Sequence, residues 1–213
     1  MMNNQELGSY SVTSIDVLFY GNMGFSFEQN RHIRTKIARY LYAVDNDQFT
    51  VEEFCSAVFE LMEEMCAMSF KISEATLTER YSRPWIGKQS PAAKVTANIG
   101  SHLIQTRFLK RNPEAAESPV FCEFVRKVIL DPRFGTGRLP FIENLLPMTK
   151  NSEGIDFIPF LEDDLYAGPT ISALLKLKDG RFAKEAEKVL KTNPKNPFRR
   201  QIKRYIRLYK ENE

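Results

Sequence analysis

The chain has 213 residues, 43% of them hydrophobic and 27% charged, with a net charge of +3. Those proportions are ordinary for a globular protein and exclude collagen-like, disordered and disulfide-dense classes; the charge also falls short of a dedicated nucleic-acid binder. No run approaches eighteen consecutive apolar residues, so no membrane span is expected.

The first residues, Met1 to Glu6, carry no basic stretch and no apolar run follows, so a secretory signal is not expected and the chain reads as cytoplasmic. Segment 10–20 is open to three readings, a short strand, a first helix or a packed arm, before Gly21, Asn22 and Gly24 break it. From Ser26 the pattern turns helical. Ile33, Ile37, Tyr40, Leu41 and Val44 recur at spacings of three and four, with Arg31, Arg34, Lys36 and Arg39 mostly on the other side and His32 on that charged side beside Arg31. After Asp45-Asn46-Asp47, the run Thr50-Val51-Glu52-Glu53 is a capping box that opens a second helix. Its apolar stripe is Val51, Phe54, Val58, Leu61, Met62 and Met65. Glu53, Glu60, Glu63 and Glu64, with Glu52, lie largely outside that stripe and form either a solvated face or a docking surface for a basic partner.

Cys55 and Cys66 sit in this same helix, about 16 Å apart at its ordinary rise, beyond disulfide reach. Together with Cys122 they are expected to be buried free thiols in a reducing compartment. Residues 73–90 mix helix formers with Arg83-Pro84 and Gly87, and Trp85 there is read as a loop anchor or a binding residue. Ser90-Pro91 has the form of a helix start, followed by Val95, Ile99, Leu103, Ile104 and Phe108 on one stripe, with His102 as a packing residue. Ser118-Pro119 repeats the start signal ahead of Phe121, Phe124, Val125, Val128 and Ile129. Phe134-Gly135-Thr136-Gly137 is a turn, and it lacks the Gly-Lys-Ser/Thr of a phosphate loop. Five shorter helices are then expected over 139–148, 155–161, 165–178, 182–192 and 197–210. Helical periodicity from Ser26 onward, with no convincing strand, makes the expected fold class all-α.

The small net charge conceals an uneven distribution. Residues 1–75 hold 5 basic and 11 acidic side chains, whereas 76–112 hold 7 basic and 1 acidic. Near the end, Lys191, Lys195, Arg199, Arg200, Lys203, Arg204, Arg207 and Lys210 occur with no acid between them. On the last helix Phe198, Ile202, Tyr205, Ile206 and Tyr209 make an apolar stripe, and the cations cover the rest.

The last third resembles HEAT-type helical repeats, in which antiparallel helix pairs stack into a solenoid. Asp156-Phe157-Ile158-Pro159-Phe160-Leu161-Glu162-Asp163-Asp164 resembles a short first helix ending in an acidic turn. Ala167-Gly168-Pro169-Thr170-Ile171-Ser172-Ala173-Leu174-Leu175 is similar to a second helix with small residues where neighbours press close. Arg181-Phe182-Ala183-Lys184-Glu185-Ala186 and Asn196-Pro197-Phe198-Arg199-Arg200-Gln201-Ile202 look like the starts of the following pair. The likeness covers roughly 138–210. Ile202 and Tyr205 stand where the pattern has small residues, which implies a terminal helix that caps the stack. The organisation expected is a single all-α domain over 1–213, less regular over 1–112 and HEAT-like over 113–213.

The resemblance implies a non-catalytic protein–protein interaction module, since solenoids bind through extended surfaces and need no reactive residue. Small HEAT-like proteins include immunity proteins that neutralise a cognate bacterial toxin, and the polarised charge suits such pairing. The residues named for the partner are Glu53, Glu60, Glu63 and Glu64 on one face and Arg199, Arg200, Lys203, Arg204 and Arg207 on another. A basic toxin such as a nuclease would choose the acids, and Glu60 and Glu64 are expected to face solvent. The alternative is a nucleic-acid-binding HEAT-like protein, resembling DNA glycosylases of that kind, that uses the last helix. His32 and His102 have no second ligand at metal spacing, so no cofactor, metal, membrane or small-molecule substrate is expected.

Overall fold

A computed structural model describes residues 25–69 and 91–210. Segment 10–20, the region of Arg83-Pro84 and Trp85, and the Ser90 cap lie outside the described residues. Among the described residues every regular element is helical and none is a strand, so the fold class is all-α. None of these helices is long and apolar enough to cross a membrane. The chain divides into two compact units, Met1–Arg138 and Leu139–Glu213.

In the first unit, helix α1 (Phe27–Asp45) opens on a capping box. The Ser26 hydroxyl accepts from the Gln29 backbone N–H, and the Gln29 side chain accepts in return from Ser26 N–H. Ile33, Ile37, Leu41 and Val44 are buried along one face, as their spacing requires, while Tyr40 is half-buried and donates its hydroxyl to the Ala57 carbonyl at 3.2 Å. Helix α2 (Val51–Ser69) starts on the Thr50–Glu53 box and buries Phe54, Val58, Leu61, Met62 and Met65.

Helix α3 (Pro91–Asn98) runs on as a π-helix over Ile99–Phe108 and ends in α4 (Leu109–Arg111). The expected apolar set, Val95, Ile99, Leu103, Ile104 and Phe108, is buried throughout. Its recurrence at four and five residues suits the wider π turn, whose bonds reach back five positions; Leu109 N–H indeed reaches the Ile104 carbonyl. This places the Phe108 ring flat on Phe54, with centroids 3.8 Å apart and planes 8° from parallel.

Helix α5 (Pro119–Leu130) is capped by the Ser118 hydroxyl, which accepts from Phe121 N–H at 3.2 Å. The turn expected at Phe134–Gly137 lies within Pro132–Arg138, a 3-10 stretch broken by a kink at Gly135 (φ 47°, ψ −135°), with Phe134 fully buried. It presses onto α3 so closely that a Cβ on Gly137 would lie 2.6 Å from the Ala93 carbonyl oxygen. No side chain larger than hydrogen fits there.

The second unit contains a π turn over Phe141–Leu145, then α6 (Leu146–Thr149), α7 (Ile158–Glu162), α8 (Ala167–Leu177), α9 (Ala183–Thr192) and α10 (Arg199–Lys210). Lys178 ends α8 in the left-handed conformation (φ 56°). Ile171, Ala173 and Leu174 of α8, Ala186 of α9, and Ile202 and Tyr205 of α10 are buried.

Candidate functional site

The sequence nominates two charged faces, and the structure treats them very differently. On α2, three of the four named glutamates are already occupied. The Glu53 carboxylate accepts from Thr50 N–H (2.9 Å) and Thr50 Oγ1 (2.8 Å), and these bonds hold its carboxyl below the usual range. Glu63 takes a guanidinium hydrogen bond from Arg133 at 2.9 Å. Glu64 lies against α1, 2.5 Å from Lys36 Nζ and 2.7 Å from His32 Nε2. Burial works to raise the Glu64 carboxyl, but the bonds from Lys36 and His32 outweigh it and leave it low. The expectation that Glu64 faces solvent freely is therefore corrected. The α1–α2 contact brings two basic groups to it from more than twenty-five residues upstream, which helical periodicity within α2 does not register. Glu60 fits the expectation: it is exposed, and among the described residues its one hydrogen bond is accepted from the Ser56 hydroxyl at 3.2 Å. The four acids do not form one free surface.

On α10 the opposite holds. At about 100° per residue, Arg200, Lys203, Arg204 and Arg207 fall within an arc of about 100° and span about 10 Å of axis. All four are exposed and have no ion-pair or hydrogen-bond partner among the described residues. Arg199, at the edge of the arc, donates to the Pro194 carbonyl at 2.8 Å. The back of the helix is firmly seated. The Phe198 ring lies on Gly168, where a Cβ would come within 2.3 Å of it, and Tyr209 lies on Gly180 in the same way at 2.6 Å. Between them, fully buried Tyr205 donates its hydroxyl to the Asp179 carbonyl (2.7 Å) and accepts from Phe182 N–H (3.3 Å). Asn196, buried ahead of the helix, caps Phe198 N–H and donates to Asp164, which also holds Asn193.

The turn that receives Tyr205 is a structural device that apolar periodicity does not reveal. Asp179 accepts from the backbone N–H and the guanidinium of Arg181, whose cation lies 5.4 Å from the Phe182 ring centre. Asp131-Pro132-Arg133-Phe134, in the first unit, makes the same set of bonds, with Arg133 6.0 Å from the Phe134 ring. The shared Asp-x-Arg-Phe signature was visible as two tetrapeptides 48 positions apart. At Asp179, burial raises the carboxyl, and the bonds from Arg181 and Ser152 override it; at Asp131, Arg133 does the same. These carboxylates act as clamps that fix the chain as it leaves α5 and α8.

The cysteines are free, with Cys55 and Cys66 buried as expected; Cys122, expected to be buried as well, is only half-buried. His32 is spent on Glu64 and His102 is half-buried in the π-helix. Among the described residues no three His, Cys, Asp or Glu side chains converge as a metal ion needs. No protein-family model, curated protein or solved structure matches this chain.

Proposed function

We propose that the chain is a non-catalytic protein–protein interaction module, a HEAT-type solenoid of the cytoplasm that engages an acidic surface on one partner through α10. The observation that carries this reading is the row of four exposed cations, Arg200, Lys203, Arg204 and Arg207, that nothing among the described residues neutralises. Uncompensated charge on a helix whose opposite face is buried steers encounter and fixes orientation without any ordering of loops on binding. The Asp-x-Arg-Phe recurrence at 48 positions supports the repeat reading, being close to the period of about 40–47 residues of such arrays. Free thiols support a reducing compartment. An immunity role, in which the partner is a toxin held inactive, is the member of this class that the resemblance favours. The net charge of +3 favours a protein over nucleic acid, although the same cations suit phosphates.

Capture from the native host with the unaltered chain and with Arg200→Glu/Arg204→Glu tests this. The unaltered chain should recover one protein that the double reversal loses, with the melting temperature unchanged. Relief of that protein's toxicity by co-expression of the chain would identify the immunity role. Recovery by both forms removes α10 from the interface. Binding to random duplex DNA that weakens steeply with salt transfers the site to the nucleic-acid reading.

A further inference from the structure

A groove of about 480 Å³ runs between α2 and α5, away from α10 in the chain and lined on its α2 side by Glu52 and Glu60 of the acidic helix. Its floor is apolar. Phe59 meets Phe124 edge-on, with ring centres 6.5 Å apart, and Val120 stands 41% exposed beside them. The buried Cys55 thiol closes the base, and burial pushes it up to about 12, so it behaves there as a neutral apolar group. Apolar surface left open in a lined concavity of this size is the usual form of a recognition site.

The walls say what fits. Glu52 and Glu60 line the α2 side about 12 Å apart along the axis, two helical turns at the ordinary rise. Both are exposed, and neither has a cationic partner among the described residues. On the α5 side Glu123 is engaged by Arg126, and the exposed Lys127 stands at the far end. The α2 wall thus carries two uncompensated negative charges over the length that two turns of a helix would cover, against the single cation of Lys127 on the α5 wall.

We infer that this groove docks a cationic amphipathic helix of a partner protein, its apolar face on Phe59, Val120 and Phe124 and its Lys or Arg side chains against Glu52 and Glu60. Helix-in-groove recognition reads anchors at i, i+3, i+4 and i+7, and the acids on one wall fix which edge of the helix carries its cations. The site is opposite in sign to α10 and independent of it.

The probe is a fluorescent synthetic helix of Leu and Lys, about 15 residues long so that it is helical at least in part, titrated against the full chain. Two control peptides are a Leu/Glu version of the same pattern and a Leu/Lys scramble without an apolar face. The Leu/Lys helix should bind one-to-one, and both Glu52→Lys/Glu60→Lys and Val120→Asp should weaken it about tenfold. Asp near the start of α5 suits the positive end of the helix dipole, so Val120→Asp keeps the fold, which its melting temperature verifies. Arg200→Glu/Arg204→Glu should leave the affinity unchanged, which separates this site from the one on α10. The assignment is overturned by absent binding, by equal binding of either control, or by undiminished binding to both groove variants. A dimer in sedimentation that Val120→Asp dissolves also overturns it, because the occupant is then a second copy.

Discussion

Single carboxylates decide how this protein should respond to charge reversal and to pH. Glu60 and Glu64 lie one turn apart on α2, yet only Glu64 is held by α1. Glu64→Lys removes two part-exposed pairs, each worth up to about 1 kcal/mol, and sets like charges together. It should lower the melting temperature by about 3–6 °C, whereas Glu60→Lys should stay within about 2 °C; thermal denaturation of both variants compares them. Asp131, Asp179 and Glu64 all release their protons more readily folded than unfolded. Their stabilisation is therefore complete above the ordinary carboxylate range near about 4 and is lost as pH falls through their lower folded values. Asp179→Asn should be less stable than the unaltered chain at neutral pH, and melting curves should show the gap start to narrow as pH falls below about 4, where the unfolded carboxyl takes up its proton, and close only below the lowered folded value, where the native carboxyl is protonated too. A gap independent of pH would mean that the clamp does not depend on charge.

At the level of the helix, what matters is how α10 is seated. Its charged face needs no contact with the fold, so its position rests on Phe198, Ile202, Tyr205 and Tyr209. Tyr205→Phe keeps the ring but leaves the Asp179 carbonyl and the Phe182 N–H without their partner, at a cost of about 1–2 kcal/mol. Gly180→Val puts a branched side chain where the Tyr209 ring already lies, and displacing that ring should cost about 1–3 kcal/mol. Calorimetry should find both variants destabilised, with partner binding through α10 more impaired in Gly180→Val, because there the helix itself must move. Unchanged stability in Gly180→Val would show that Tyr209 is free to swing aside.

For the molecule as a whole, the thiols give a direct readout of burial. Titration of the denatured, unreduced protein should count three free thiols. The native protein should react quickly at Cys122 alone, because Cys55 and Cys66 are buried and burial raises their thiols to about 12 and about 11. Protection of these two also adds stability that is present below the ordinary thiol range and lost as pH rises above it. Prompt reaction of all three in the native state would mean that the α2 core opens readily.

Much of the architecture was legible in the chain because it depends on local chemistry. Ser26, Thr50 and Ser118 announce their helices through hydroxyls that accept from the N–H three residues on, and the apolar stripes of α1, α2 and α5 follow the helical period. The one long departure, the π-helix over Ile99–Phe108, carries an apolar set that suits either winding, and its packing on Phe54 goes with the wider one. Charge was legible as composition but not as a site. Whether an acid is free depends on what approaches from distant sequence, as Lys36 and His32 approach Glu64 and Arg133 approaches Glu63. The groove between α2 and α5 is likewise lined from two helices, by Phe59 of one and Val120 of the other, and neither helix shows the gap by itself. The sequence alone determined the helices and their buried faces, because hydrogen bonding and apolar periodicity act within a few residues. Only the tertiary structure decided which charges and which apolar side chains remained free to bind, because that depends on which distant helices meet.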